Sequence, residues 1–146
     1  MKKIIATVLL ATFFICLGFD ALYQETRNNS KIYIQTMNKP ISFFVEKAVT
    51  QKEREQGLAN RHSLDKDSGM LFVFKHPQVV RMWMKDTYIP LDMIFINNNK
   101  VVSIHKNAKP MDETIISSKV FASAVLEVNA GTVNEHNIRV GDKIRF

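Results

Sequence analysis

Six residues carry the chemistry open to this chain, and four of them cluster around one stretch, RMWMKDTYIPLD, residues 81–92. In an extended strand, side chains two apart share a face, which places Arg81, Trp83 and Lys85 together and Met82 and Met84 on the opposite, core side. An indole flanked by two cations is a stacking platform with charge at each end. Asp92 begins the next extended run, across a turn set by Thr87 to Pro90, within reach of Lys85, Arg81 or an Arg61 arriving from an upstream loop. Glu127 shares a strand face with Ser123 and Val125.

Together these residues suit a concave site for a small anionic or carbohydrate ligand, because such sites combine an aromatic wall with a few convergent polar groups. Two other chemistries stay open. Asp92 and Glu127 form a hydrolytic carboxylate pair if they lie close enough for one to retain its proton, with Lys85 or Arg61 stabilising charge. Alternatively the stretch is an ion-paired corner that fixes strand register in an accessory protein, whose sheet edge meets a protein partner.

Other chemistries find no footing. There is no serine in an elbow motif and no glycine-rich phosphate loop. His62, His76, His105 and His136 stand far apart, with no metal-ligand spacing, so neither metal nor cofactor is expected. The only cysteine, Cys16, falls in the N-terminal segment, which leaves the domain without a disulfide or a thiol nucleophile. Of the 20 Lys and Arg residues, Lys2 and Lys3 belong to that segment too, leaving 18 against 14 acidic side chains. The excess is mild and scattered, without the basic stripe that nucleic-acid binders of this size carry, and no nucleic-acid partner is expected.

Residues 1–19 read as a signal peptide or an uncleaved N-terminal anchor. Lys2-Lys3 supply a positive start, and the run Ile4 to Phe19 carries no charge. That length suits a secretory signal better than a spanning helix, which needs about 20 apolar residues. Cleavage after Gly18 would leave small residues at the last and third-last positions. The expectation is an exported protein, periplasmic or held on the outer side of the cytoplasmic membrane. Membrane contact is expected only through an uncleaved segment.

Residues 20–31 are polar and aperiodic, a linker, and residues 32–146 form the single domain. Its short runs rich in β-branched and aromatic residues predict about eight strands: Ile32 to Thr36, Ile41 to Val45, Gly69 to Phe74, Val79 to Lys85, Met93 to Ile96, Val101 to His105, Ala122 to Val128 and Val140 to Phe146. "GMLFVF" is apolar on both faces, as a strand buried from two sides would be. Thr50 with Glu53 predicts a capping box that opens a short helix, and Gly57 its stop. A second helical turn is expected over Thr132 to Asn137. The fold class that follows is mainly β, a single sandwich or barrel with one or two short helices.

With Gly57-Leu58, Arg61, "GMLFVF", "WMKDTYIPLD", "VLE" and "VGD" in this order, the chain resembles the bacterial and archaeal family known as domain of unknown function 192. The resemblance spans Val45 to Phe146. It implies a compact, mainly β domain, often carried on exported proteins, and it brings no established activity and no catalytic residue. The family pattern has Asn after the Met-Lys pair, where this chain has Asp86. An Asx-type cap would accept either side chain, whereas an amide donor would not.

Overall fold

Ile32 and Ile34 alternate with Lys31, Tyr33 and Gln35, and this period of two makes the first strand, β1 (Ser30–Gln35). In the computed structural model, which describes residues 30–146, β2 (Pro40–Ala48) pairs antiparallel with it. The expected signal or anchor lies outside the described residues, as does the linker up to residue 29; Ser30 and Lys31 already belong to β1. The remaining elements are α1 (Gln51–Gln56), β3 (Ser68–Met82), β4 (Leu91–Asn97), β5 (Lys100–Ala108), β6 (Ile116–Asn129), α2 (Thr132–Glu135) and β7 (Lys143–Arg145). The strands close into a mainly β barrel in the order β1-β2-β3-β6-β4-β5-β7, with β7 returning to β1. Only β2 and β3 run parallel, so a crossover must join them, and α1 with its following loop is that crossover.

The capping box forms as the sequence predicts. The Glu53 amide donates to the Thr50 hydroxyl at 3.2 Å, and the Thr50 and Val49 amides donate to the Glu53 carboxylate at 2.8 Å. Gly57 then stops the helix with φ at +46°, a conformation in which a Cβ would also stand 3.1 Å from the Phe72 ring.

Seven strands form among the described residues, close to the expected eight or so, because His76-Pro77 is not a turn. Gly69–Phe74 and Val79–Met82 belong to one continuous strand, β3. Its pairing with β6 jumps from Val73↔Ala124 to Gln78↔Ala122, so residues 74–77 bulge opposite Ser123. The parallel partner β2 pairs no further than Phe72, so Pro77, which lacks an N–H, falls beyond that ladder. The last strand also shrinks, to Lys143–Arg145. Before it, Arg139 to Asp142 close a turn in which the Arg139 amide donates to the Asp142 carboxylate at 2.8 Å.

Two apolar clusters lie on opposite sides of the sheet. Ile32, Ile34, Phe43, Val45, Leu71, Ile94, Ile96, Val101, Leu126, Val128 and Ile144 draw on every strand and fill the barrel. Met70, Phe72, Met93, Phe95 and Val125 face the other way and are covered by Leu58 from the crossover and by Met84 and Ile89 from the β3–β4 loop. This is why "GMLFVF" and "LDMIFI" are apolar on both faces: their strands separate two cores.

The β3–β4 loop is tied down through its backbone. The Met84 amide donates to Asp112 O at 2.9 Å, Thr87 N to Met84 O at 3.1 Å, Met111 N to Thr87 O at 3.0 Å and Asn60 N to Asp86 O at 2.7 Å. Asp86 is exposed with φ at +53°, and among the described residues no side-chain hydrogen bond engages it. Its role is therefore neither cap nor donor: it supplies a left-handed residue, which Asn and Asp tolerate and β-branched residues do not. Asp86→Gly should leave the melting temperature equal or higher, whereas Asp86→Val should cost about 1–2 kcal/mol in a urea titration.

Candidate functional site

Beyond Met82 the strand ends, and the chain crosses the outer face of the sheet opposite α1. A cleft of about 220 Å³ opens between them. Arg81, Trp83, Lys85 and Glu127 all line it, together with Arg54 and Glu55 of α1. Arg61 and Asp92, also expected at the site, do not.

The wall and rim are built from both sides. Trp83 is 53% exposed, so one side of the indole is open to solvent. Phe72, Phe74 and Met82 continue the apolar wall. Strand alternation assigns Met82 to the core side with Met84. Only Met84 is fully buried, because the two-residue alternation stops where β3 stops. From α1, one Arg54 guanidinium nitrogen donates to Val49 O and, at 2.9 Å, to Val73 O, while the cation lies 5.2 Å from the centre of the Phe74 ring. Arg54 is thus a fixed positive charge. Arg81 and Lys85 are exposed and carry no side-chain partner among the described residues. Glu55 accepts from the Gln51 amide at 2.8 Å.

At the floor stands Glu127. Register places it between Met70 of β3 and Met93 of β4, on the outer face of β6. It is 4% exposed, and no hydrogen bond or ion pair engages its side chain among the described residues. Burial alone pushes its carboxyl up to about 8, because charging it there forfeits hydration that nothing nearby replaces. Near neutral pH it is an uncharged acid, a hydrogen-bond donor at the bottom of a cleft rimmed by Arg54, Arg81 and Lys85.

Asp92 is placed elsewhere for a clear reason. It pairs with Val128, whose side chain fills the barrel, whereas the adjacent pair Met93↔Glu127 faces outward. The sheet therefore separates the two carboxylates. Asp92 is fully buried and accepts from the Asn107 and Val133 amides, each at 2.9 Å. A carboxylate committed to two amides on the far side of a sheet cannot act in concert with Glu127, and the paired-carboxylate hydrolase has no geometry to work with. Arg61 instead forms a two-pronged ion pair with Glu46 of β2 at 2.5 and 2.6 Å. Their mutual hydrogen bonding lowers the Glu46 carboxyl and raises the Arg61 guanidinium, and it binds the crossover loop to β2.

Local pattern gives no sign of Arg54, Phe72 and Phe74 at the site. A helix without a buried residue reads as a solvated face in sequence. Only the parallel β2–β3 pairing lays it over the outer surface of β3. Among the described residues no three His, Cys, Asp or Glu side chains converge to hold a metal ion, and no helix is long and apolar enough to cross a membrane.

Solved structures share this fold, and two of them serve for comparison. One, at 1.55 Å, is a protein from Sinorhizobium meliloti 1021 provisionally described as a transcription regulator. It is 41% identical, with a TM-score of 0.77 over 81% of this chain and 95% of that one. The other is a protein of unknown function from Novosphingobium aromaticivorans DSM 12444, 34% identical, with a TM-score of 0.79 over 81% of this chain and 85% of that one. None of the curated proteins matches. The family profile DUF192, described as an uncharacterized ACR, matches residues 32–146. The chain, matched over nearly all of its described part, belongs to the domain of unknown function 192 family.

Proposed function

We propose that this is an exported cell-envelope domain that binds a small anionic ligand in the cleft between α1 and the Trp83 loop. The observation that carries the reading is Glu127, a largely buried carboxyl without a side-chain partner among the described residues, at the floor of an open site. With no protein group to hold it, a carboxyl that faces a cleft is met there by water or by a ligand oxygen. Uncharged, it donates to an oxygen of the ligand. Arg54, Arg81 and Lys85 outnumber Glu55 at the rim, so the oxygen that fits best is anionic. Trp83 and Phe74 offer apolar surface to the rest of the molecule, which admits a carbohydrate acid as readily as a simple organic acid. Export follows from the uncharged N-terminal run behind Lys2-Lys3.

Trp83 is the only tryptophan, so its emission reports on this site alone. Titration with small carboxylates, sugar acids and phosphates should find a compound that shifts the emission. Lys85→Ala should then weaken binding by at least about tenfold, since a charge-assisted hydrogen bond contributes about 1.5–3 kcal/mol. Arg61→Ala, outside the cleft, should leave the affinity unchanged while lowering the melting temperature. If Arg61→Ala and Lys85→Ala weakened binding equally, the ligand would sit elsewhere and the cleft would lose its role.

A further inference from the structure

A second surface lies away from the cleft, on the outer face of β7, β1 and β2 at the seam where the barrel closes. Alternation turns Ile32, Ile34, Phe43 and Val45 inward and leaves Lys31, Tyr33 and Phe44 outside. Register aligns Tyr33 with Ser42 on one side and Arg145 on the other, Lys31 with Phe44, and Lys143 with both Gln35 and Lys100. A shallow groove of about 660 Å³ runs along the seam, lined by Tyr33, Lys100, Lys143 and Arg145 among others and by no carboxylate. Asp67 is the one acid in the adjoining hollow beside Lys31 and Phe44, and Lys39 stands there too. Tyr33 is 41% and Phe44 50% exposed, large aromatics for a solvated strand face.

We propose that this face rests on anionic phospholipid headgroups, so that the folded domain itself, and not only its N-terminal segment, touches the membrane. Charge complementarity is the first support, with three cations and no acid in the groove, and Lys31 and Lys39 against the single acid Asp67 in the adjoining hollow. The second is the placement of the tether. The uncharged N-terminal run ends at Phe19, ten residues before β1 begins at Ser30, and β1 is the strand that carries Lys31 and Tyr33. Ten extended residues span at most about 35 Å, so a domain held by that run keeps this face close to the bilayer. Aromatic rings beside Lys and Arg suit the headgroup level, where amphipathic side chains collect and each cation adds to the attraction.

A single-stranded nucleic acid is the rival partner for aromatics among cations, but it needs bare ring faces for its bases. Here a cation already stands beside each ring. The Lys31 ammonium stands 4.9 Å from the Phe44 centroid and 5.7 Å from that of Tyr33, and the Arg145 guanidinium 5.6 Å from Tyr33. The surface presents cations beside half-exposed rings, a mixture that suits headgroups better than a run of free stacking faces.

The test is cosedimentation of the full chain with vesicles of phosphatidylcholine alone and with phosphatidylglycerol added, at low and high salt. The wild-type chain should favour the anionic vesicles at low salt and lose that preference at high salt. A fourfold variant, Lys31→Ala, Lys100→Ala, Lys143→Ala and Arg145→Ala, should lose roughly a hundredfold or more of the preference. It retains Lys2, Lys3 and the apolar run, so insertion of the N-terminal segment cancels in the comparison, and a cooperative melt confirms that it folds. A charge reversal at Lys85, in the cleft, should leave the preference unchanged. The proposal is overturned if the fourfold variant keeps the wild-type preference, or if wild type ignores lipid charge. It is overturned equally if a single-stranded oligonucleotide binds in the wild type, is lost in the variant, and no lipid preference accompanies it.

Discussion

Glu127→Gln is expected to flatten the pH dependence of stability and to make the protein more stable than wild type at alkaline pH. In the unfolded chain this carboxyl ionises near 4.5, whereas in the fold it holds its proton up to about 8. Between those values the native state binds a proton that the unfolded state has released. The stability tied to Glu127 is therefore fully present below about pH 4.5, falls as pH rises through the interval, and is gone above about 8. The wild-type loss across that window is on the order of several kcal/mol, since holding a proton against each further pH unit corresponds to about 1.4 kcal/mol. The Glu46 carboxyl, lowered by its hydrogen bonds with Arg61, has the opposite sign, and its contribution is lost only as pH falls below the ordinary carboxylate range. The window between about 4.5 and about 8 thus belongs to Glu127. Urea titrations at pH 5, 7 and 9 should show wild type weakening steadily and Glu127→Gln holding nearly level. The amide still donates a hydrogen bond, so anion binding in the cleft should persist in the variant and, unlike in wild type, continue above pH 8 where an ionised Glu127 would repel the ligand. Parallel stability curves for the two proteins would mean that Glu127 is charged in the fold, and the donor role would fall with it.

Much of the fold is legible in local pattern, because period-two alternation and turn chemistry act over a few residues. Ile32 and Ile34, the Thr50–Glu53 box and Gly57 each declare their role within one turn or strand. His76-Pro77 misleads because a proline beside a polar residue marks a turn in most contexts; a β3 that has already shed its parallel partner accommodates it as a bulge. For the site, strand alternation groups Arg81, Trp83 and Lys85, yet that alternation stops at Met82, and they meet at the cleft through the loop's backbone ties instead. Glu127 and Asp92 are not separable in sequence. Both stand in strands apolar on either side, and alternation shows that neighbours point apart without showing which side is the barrel interior. Arg61 and Glu46 meet only because β2 and β3 run parallel, a pairing that no local pattern announces.

Asp92→Ala is expected to be among the most damaging single substitutions, though Asp92 lies outside the cleft. Its two oxygens take the Asn107 amide, where β5 turns through a left-handed residue, and the Val133 amide in the first turn of α2. Gly131, which precedes that helix, offers no side chain to cap it, so Asp92 acts as the cap from across the fold. Removing the carboxylate strands two buried donors at about 1–3 kcal/mol each, and a total loss of about 2–6 kcal/mol follows. Asp92→Asn keeps one oxygen but turns an NH₂ group toward the other amide, so it should fall between wild type and alanine. Denaturant midpoints rank the three. The amides of Asn107 and Val133 should also lose protection from hydrogen exchange ahead of the rest of β5, since local opening precedes global unfolding. Below its melting transition, Asp92→Asn should bind the cleft ligand as wild type does and respond to pH as wild type does, because the sheet lies between Asp92 and Glu127. If it folded with undiminished stability yet lost the ligand as Lys85→Ala does, the two carboxylates would be coupled after all, and the division of labour between a binding acid and a structural one would have to be abandoned.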